Sequence, residues 1–353
     1  MEQIIRKQTK KIMCGNVEIG GGALIPVQSM TNTFTKDIKA TVNQIHSLEE
    51  VGCEIIRVAV ADMEDADAIS EIKKQIHIPI VADIHFDYRL AIKSIENGID
   101  KLRINPGNIG SMDRVRKVVE AAKPKNIPIR IGVNVGSIHK TILEKYNGQP
   151  TAEGMVESAL EHVKILEDLD YDNIVISLKG TDIKMTVDAY KIMSQKVNYP
   201  LHVGITHSGT LFDGSIRSAI GVGSLLLDGI GDTMRISLTD DPREEVKVAR
   251  EILKSLGLRN FGINYITCPT CGRTKISIIE LSKQIQEGLK NVNKPITVAI
   301  MGCAVNGPGE ARQSDIGIAG GIGEALLFKK GEIIRKVKEE DIVSTLLDEI
   351  NKM

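Results

Sequence analysis

The chain has 353 residues, more than one core usually spans, so two domains are expected, one of them large. Its 45 basic and 46 acidic residues leave a net charge of −1, which excludes a general attraction to nucleic acid or anionic membrane, and 3% aromatics without tryptophan exclude stacking platforms for single-stranded nucleic acid. No apolar run reaches the ~18 residues of a membrane span, and the charged start from Met1 to Lys11 lacks the apolar stretch of a signal peptide, so a cytoplasmic location is expected.

Residues 9–22 read as a hairpin turning at Gly15 and Asn16, placed to plug the bottom of a barrel built from the next 230 or so residues. From Val27 to about Leu256 one rhythm repeats: a short, β-branched apolar run, a polar residue closing it, then helical spacing, as in Ala40–Val51 and Gly154–Leu169. The runs are 27–30, 54–60, 80–85, 101–105, 129–134, 173–179, 201–206 and 234–239. Strands alternating with helices imply parallel pairing, and eight such units predict a (β/α)8 TIM-type barrel. A doubly wound open sheet is the rival, but it normally stops at five or six strands, and no G-x-G-x-x-G follows the first strand. After Gly257 the rhythm breaks. A Cys-rich turn is expected over Asn264–Gly272, a helix over Ser277–Asn291, strands over Pro295–Met301 and Asp315–Ala319, and a terminal helix around Ile342–Ile350. This predicts a barrel over 1–257, a linker over 258–263 and a small α+β domain over 264–353.

In such a barrel the chemistry sits at the C-terminal ends of the strands. Those ends carry Arg57, Asp83 with His85, Arg103 with Asn105, Arg130 with Asn134, Lys179, His207, and Arg235 with Ser237. A single strand-end cation is most often a structural ion pair. Five converging on one mouth, Arg57, Arg103, Arg130, Lys179 and Arg235, repel one another unless an anion neutralises them. A diphosphate suits them, because guanidinium forks match phosphate oxygens. Asp83 and His85 are two apart and share a strand face. They are either a local structural pair or substrate contacts, with His207 opposite as a proton source. The other histidines read as structural or surface residues.

Five cysteines in a chain of this size argue against a disulfide framework. Cys268 and Cys271 form a C-x2-C turn, a spacing shared by zinc, cluster and redox sites. Cys303 follows 32 residues after Cys271, and no histidine occurs after His207. Three thiolates and one oxygen ligand are left, a set that suits an iron–sulfur cluster better than a closed zinc site. Gly302, Gly307 and Gly309 would let backbone approach it. Cys14, in the hairpin, and Cys53, at a helix–strand junction, read as core residues.

The runs V-Q-S-M-T-N-T (27–33), R-V-A-V (57–60), A-D-I-H-F-D (82–87), R-I-N-P-G-N (103–108), R-I-G-V-N-V-G-S (130–137), I-S-L-K (176–179), L-H-V-G-I-T (201–206), M-R-I-S-L-T (234–239), C-P-T-C-G-R (268–273) and M-G-C-A-V-N-G-P-G-E (301–310) resemble, in order and over essentially the whole chain, the bacterial two-domain form of the 4-hydroxy-3-methylbut-2-en-1-yl diphosphate synthase family. The resemblance implies a two-electron reductive ring opening of 2-C-methyl-D-erythritol 2,4-cyclodiphosphate with loss of water, in non-mevalonate isoprenoid synthesis. It implies a [4Fe–4S] cluster on Cys268, Cys271, Cys303 and Glu310, with electrons from flavodoxin or ferredoxin. Arg57, Arg103, Arg130, Lys179 and Arg235 match the family's diphosphate contacts; Asp83, His85, Asn134, Thr206 and Ser237 match its pocket. One departure stands out. After G-I-T many members have Glu-Ala-Gly, where this chain has His207-Ser-Gly, so the proton donor falls to His207 or to Glu310.

Assembly is constrained by reach. The last barrel helix, about Pro242 to Leu256, runs to the bottom face, and the climb back is roughly 22 Å. The eight residues Gly257–Asn264 span at most about 26 Å fully extended. A homodimer, with the cluster of one chain over the barrel of another, is therefore expected, and the resemblance implies the same. Two rival readings remain open on sequence: a non-redox transferase resembling dihydropteroate synthase with a structural zinc module, and a binding or scaffold protein.

Overall fold

The computed structural model describes residues 4–290, 292–303 and 311–353. By contacts the chain divides into two compact units, Met1–Arg259 and Asn260–Met353.

The first unit opens with a hairpin of β1 (Ile12–Cys14) and β2 (Val17–Ile19), joined by a two-residue turn with Gly15 at φ 56°. Ile12, Cys14 and Ile19 are buried against Ile55, Val81 and Val175, at or near the N-terminal ends of three barrel strands, so the hairpin stoppers the bottom of the barrel. Six strands then pair in parallel in chain order: β3 (Gln28–Met30), β4 (Ile55–Val60), β5 (Ile80–Ile84), β6 (Lys101–Ile104), β7 (Ile129–Asn134) and β8 (Ile174–Lys179). Two short strands, β9 (His202–Val203) and β10 (Thr233–Met234), pair in parallel with each other. Parallel bridges Ile176–Leu201 and Val27–Met234 join this pair to the two edges of the six-stranded sheet and close the ring. Eight strands thus form the expected barrel, and closure removes the open-sheet alternative.

Eight helices cover it: α1 (Ile38–Glu50), α2 (Met63–Lys73), α3 (Tyr88–Glu96), α5 (Met112–Ala122), α7 (Ala152–Glu167), α8 (Ile183–Lys196), α9 (Leu211–Leu227) and α10 (Pro242–Ser255). Short helices α4 (Pro106–Ile109) and α6 (Lys140–Lys145) lie in the loops after β6 and β7. Most of the large helices start on a side-chain cap. Asp37, Asp62, Asp87, Thr151, Asp182 and Asp241 each accept a backbone N–H from the first turn. These caps fix where six of the loops at the C-terminal face of the barrel end.

The last two strands are shorter than the apolar runs predict. A Cβ on Gly204 would lie 2.4 Å from the Arg235 carbonyl oxygen, so the two chains approach more closely than a regular ladder allows. Arg235 still donates its backbone N–H to the Val203 carbonyl (3.1 Å), and further on the backbone is held by other partners: Leu238 donates to Glu245 (3.0 Å) and Thr239 to the Gly209 carbonyl (2.9 Å).

The second unit is a five-stranded sheet in the order β11 (Asn264–Thr267), β12 (Thr297–Met301), β13 (Ile316–Gly320), β14 (Glu324–Lys329), β15 (Glu332–Lys338). The first three strands are parallel and the last two antiparallel. Helices α11 (Ile278–Gly288) and α12 (Ile342–Asn351) supply Leu281, Ile285, Leu346 and Ile350 to a core with Val298, Ile300, Ile316 and Ile318. Two features differ from the sequence reading. Asn264–Thr267 is a strand, not part of the turn, because it pairs with β12. The β14–β15 hairpin was not anticipated.

Candidate active site

At the C-terminal ends of the barrel strands lies a polar cavity of about 150 Å³, lined by Arg57, Asp83, His85, Arg103, Arg130, Asn134, Ser177, Lys179, Thr206, Arg235 and Ser237. Strand register explains the grouping. Asp83 on β5 is level with Arg103 on β6, which is level with Arg130 on β7, while Asn134 and Lys179 pair across β7 and β8.

The cations are held individually. Arg103 donates through Nη1 to Asp83 (3.1 Å) and to His85 Nε2 (2.8 Å), and through Nη2 to the Gly132 carbonyl (3.1 Å). Burial and the Arg103 charge keep the His85 pKa below its ordinary value, so the ring is neutral near pH 7 and accepts on Nε2. Arg235 makes a bidentate pair with Glu245 (3.2 and 3.1 Å), and Glu245 also accepts from Ser29 (3.0 Å). Arg57 packs its Nε and Nη2 on the Met30 sulfur (3.0 and 2.9 Å), with Asp83 at 3.7 Å. Arg130 is 1% exposed, and its Nη1 donates to Ser177 (3.2 Å).

What is missing is countercharge. Among the described residues, Asp83 and Glu245 are the carboxylates paired with these five cations, and Arg130 and Lys179 have none within ion-pair distance. The Nε atoms of Arg103 and Arg130 are buried donors with no partner among the described residues. Burial pushes the Arg57 guanidinium down to about 10 against the pull of Asp83. Burial, then the neighbouring guanidiniums, hold Arg130 and Lys179 well below their ordinary values. Burial favours the neutral form of Asp83, yet Arg57, Arg103 and Arg130 overcome it and keep the carboxyl below its ordinary value. Buried, unpaired cations are costly. An incoming anion with several oxygens would relieve that cost and satisfy the orphaned donors.

All eight strand-end residues expected to face the substrate line this cavity, as do Asp83 and His85. His207 does not; it is exposed in the loop after β9, with φ 54°. Ser177, Met30 and Glu245 were missed. Ser177 sits two residues before Lys179 on the same strand face, which is a legible signal. Glu245 carries none, since an acid in the first turn of a helix looks like ordinary helix-dipole compensation.

In the second unit, Cys268 follows β11 and Cys303 follows β12, at the C-terminal ends of adjacent parallel strands. The turn between Cys268 and Thr274 folds back against this edge. Gly302 donates its N–H to the Cys268 sulfur (3.0 Å), the Lys275 backbone N–H donates to the Gly302 carbonyl (2.9 Å), and the Cys271 backbone N–H donates to Thr274 Oγ1 (3.2 Å). The Arg273 backbone N–H lowers the Cys271 thiol below its ordinary value. All five cysteines are free thiols, and Cys14 and Cys53 are buried in the barrel. A backbone N–H on sulfur, a lowered thiol and a glycine beside the strand ends fit a thiolate-ligated cluster. Glu310, with the rest of the 304–310 segment, lies outside the described residues.

Fold and chemistry together define an α/β-barrel enzyme with an appended thiol-bearing unit. Residues 9–250 match the GcpE TIM-barrel domain and residues 264–352 the GcpE protein C-terminal domain. A relative from Ruminiclostridium cellulolyticum is 59% identical over 354 residues, covering 100% of both chains, and one from Clostridium perfringens is 59% identical over 342 residues, covering 97% of this chain and 98% of the relative. Both are described as 4-hydroxy-3-methylbut-2-en-1-yl diphosphate synthase (flavodoxin). This chain belongs to that family. Solved barrels share the fold alone. A truncated 3-deoxy-D-arabino-heptulosonate 7-phosphate synthase from Thermotoga maritima matches with a TM-score of 0.51 at 15% identity, covering 71% of this chain and 94% of that one. The Yersinia pestis dihydropteroate synthase matches with a TM-score of 0.50 at 10% identity, covering 70% and 98%.

Proposed function

We propose that this enzyme reduces 2-C-methyl-D-erythritol 2,4-cyclodiphosphate to (E)-4-hydroxy-3-methylbut-2-enyl diphosphate, consuming two electrons as the ring opens and water leaves. The observation that carries the reading is the cavity whose five cations outnumber its carboxylates. A cyclic diphosphate brings multiple negative charges on two tetrahedral groups, and Arg57, Arg103, Arg130, Lys179 and Arg235 hold them from several strands at once. Asn134, Thr206 and Ser237 supply neutral hydrogen bonds around the ring. Asp83 orients Arg57 and Arg103, and neutral His85 presents a ring against the same guanidinium. Because His207 is exposed and lies outside the cavity lining, the proton donor in this reading falls to Glu310.

Cys268, Cys271, Cys303 and Glu310 hold a [4Fe–4S] cluster in this reading. When bound, it supplies the electrons, passed on from flavodoxin, the donor named for the relatives, or from ferredoxin. The barrel, 1–257, holds substrate, and 264–353 holds the cluster, with 258–263 as linker. The linker's short reach supports a homodimer in which one chain's cluster serves the partner's barrel. Metal analysis of anaerobically purified protein tests the cluster: about four iron and four sulfide per chain are expected, and Cys303→Ser loses them together with activity. One zinc per chain would return the second unit to a structural role.

A further inference from the structure

A second constellation lies at the opposite end of the barrel unit, where α1 ends and β5 begins. Glu49 sits in the last turn of α1, His46 one turn before it, and His77 in the loop ahead of β5. One Glu49 oxygen, Oε1, accepts the backbone N–H groups of His77 (2.7 Å) and Ile78 (3.2 Å). This fixes the carboxylate plane and leaves Oε2 between two imidazoles. His77 Nδ1 is 2.9 Å from Oε2 and His46 Nδ1 is 3.6 Å from it. All three atoms lie within 4.8 Å of one another, and the two rings stand edge to face with centroids 5.6 Å apart.

We propose that His46, Glu49 and His77 form a binding site for a transition-type divalent cation of the zinc or nickel class. Metal–ligand bonds of about 2.0–2.1 Å place neighbouring ligand atoms ~3.0 Å apart at a right angle and ~3.4 Å apart at the tetrahedral angle. The separations from Oε2, 2.9 and 3.6 Å, bracket those values, so small side-chain rotations close the site. Two imidazole nitrogens and one oxygen select zinc or nickel over magnesium and calcium, which want oxygen alone. The Oε1 hydrogen bonds act as outer-shell support, orienting a ligand before any ion arrives. Three protein ligands leave at least one position for water. A bound ion would clamp the end of α1 to the loop before β5. It sits at the end of the barrel away from the cation-lined cavity and takes no part in the reaction there.

Full-length wild-type protein, His77→Gln and His46→Ala are compared by equilibrium dialysis against Ni2+ and by thermal melting with and without it. His77 is exposed, so its replacement spares the core, and glutamine keeps a hydrogen bond to Glu49. The thiol unit is the same in all three proteins, so its own uptake cancels. The site predicts one more Ni2+ per chain in wild type at micromolar free metal, at least tenfold tighter binding than in either variant, and a Ni2+-dependent rise in Tm in wild type alone. Equal uptake by all three proteins, or uptake by wild type only at millimolar metal, would overturn it and leave an adventitious ion and an ordinary Glu–His hydrogen bond.

Discussion

Single residues in the cavity trade stability for binding. Lys179 is 7% exposed and without a carboxylate partner among the described residues, so its charge costs the ligand-free fold. Lys179→Met should raise the unfolding free energy by about 1–3 kcal/mol, read from urea titration, while weakening the cyclic diphosphate. Loss of both would show that Lys179 supports the fold instead. Arg130→Ala should raise KM about 10–100-fold, as expected for a lost charge-assisted contact, with the cluster absorbance unchanged. Most of these residues were readable because strand ends in a barrel point their last polar side chains at one mouth. Glu245 was not readable, because its role depends on Arg235 crossing from another element. His207 illustrates a different limit: sequence marks it as following β9, but only backbone geometry shows it exposed at φ 54°.

Elements were legible wherever short apolar runs alternated with helical spacing. The eight barrel strands and the helices between them follow from that repeat. The hairpin of β14 and β15 escaped because its turn lacks the usual signal. Register pairs Lys329 with Glu332, leaving Lys330 and Gly331 as the two turn residues, both left-handed at φ 48° and 82°. Asn-Gly or Asp-Gly would have marked such a turn; Lys-Gly does not, and lysine is sterically disfavoured there. Lys330→Asn should therefore stabilise the second unit by about 0.5–1 kcal/mol, measurable as a raised denaturation midpoint. No change would mean that neighbouring contacts already hold the turn.

For the whole molecule, pH dependence arises from buried histidines. His162 on α7 accepts the Gly107 N–H at 3.1 Å, and burial lowers its pKa from 6.5 to about 4. Because the folded value is the lower one, the unfolded chain binds the proton first as pH falls. The neutral ring's contribution is full above about 6.5, falls between that value and about 4, and is flat below. It amounts to at most about 3 kcal/mol. His202, buried with neither ring nitrogen partnered among the described residues, acts in the same direction. His162→Gln should flatten stability between pH 6.5 and 4 in urea titrations followed by circular dichroism; an unaltered slope would assign the acid sensitivity elsewhere. The division of labour between a cation-lined barrel and a thiolate unit is tested most directly by anaerobic turnover. Protein reconstituted with iron and sulfide is mixed with reduced flavodoxin and the cyclic diphosphate, and the product is weighed by mass spectrometry. An open-chain allylic diphosphate, lighter than the substrate by one oxygen atom, is the predicted result. Unchanged substrate, with the cluster intact and the flavodoxin still reduced, would contradict the account.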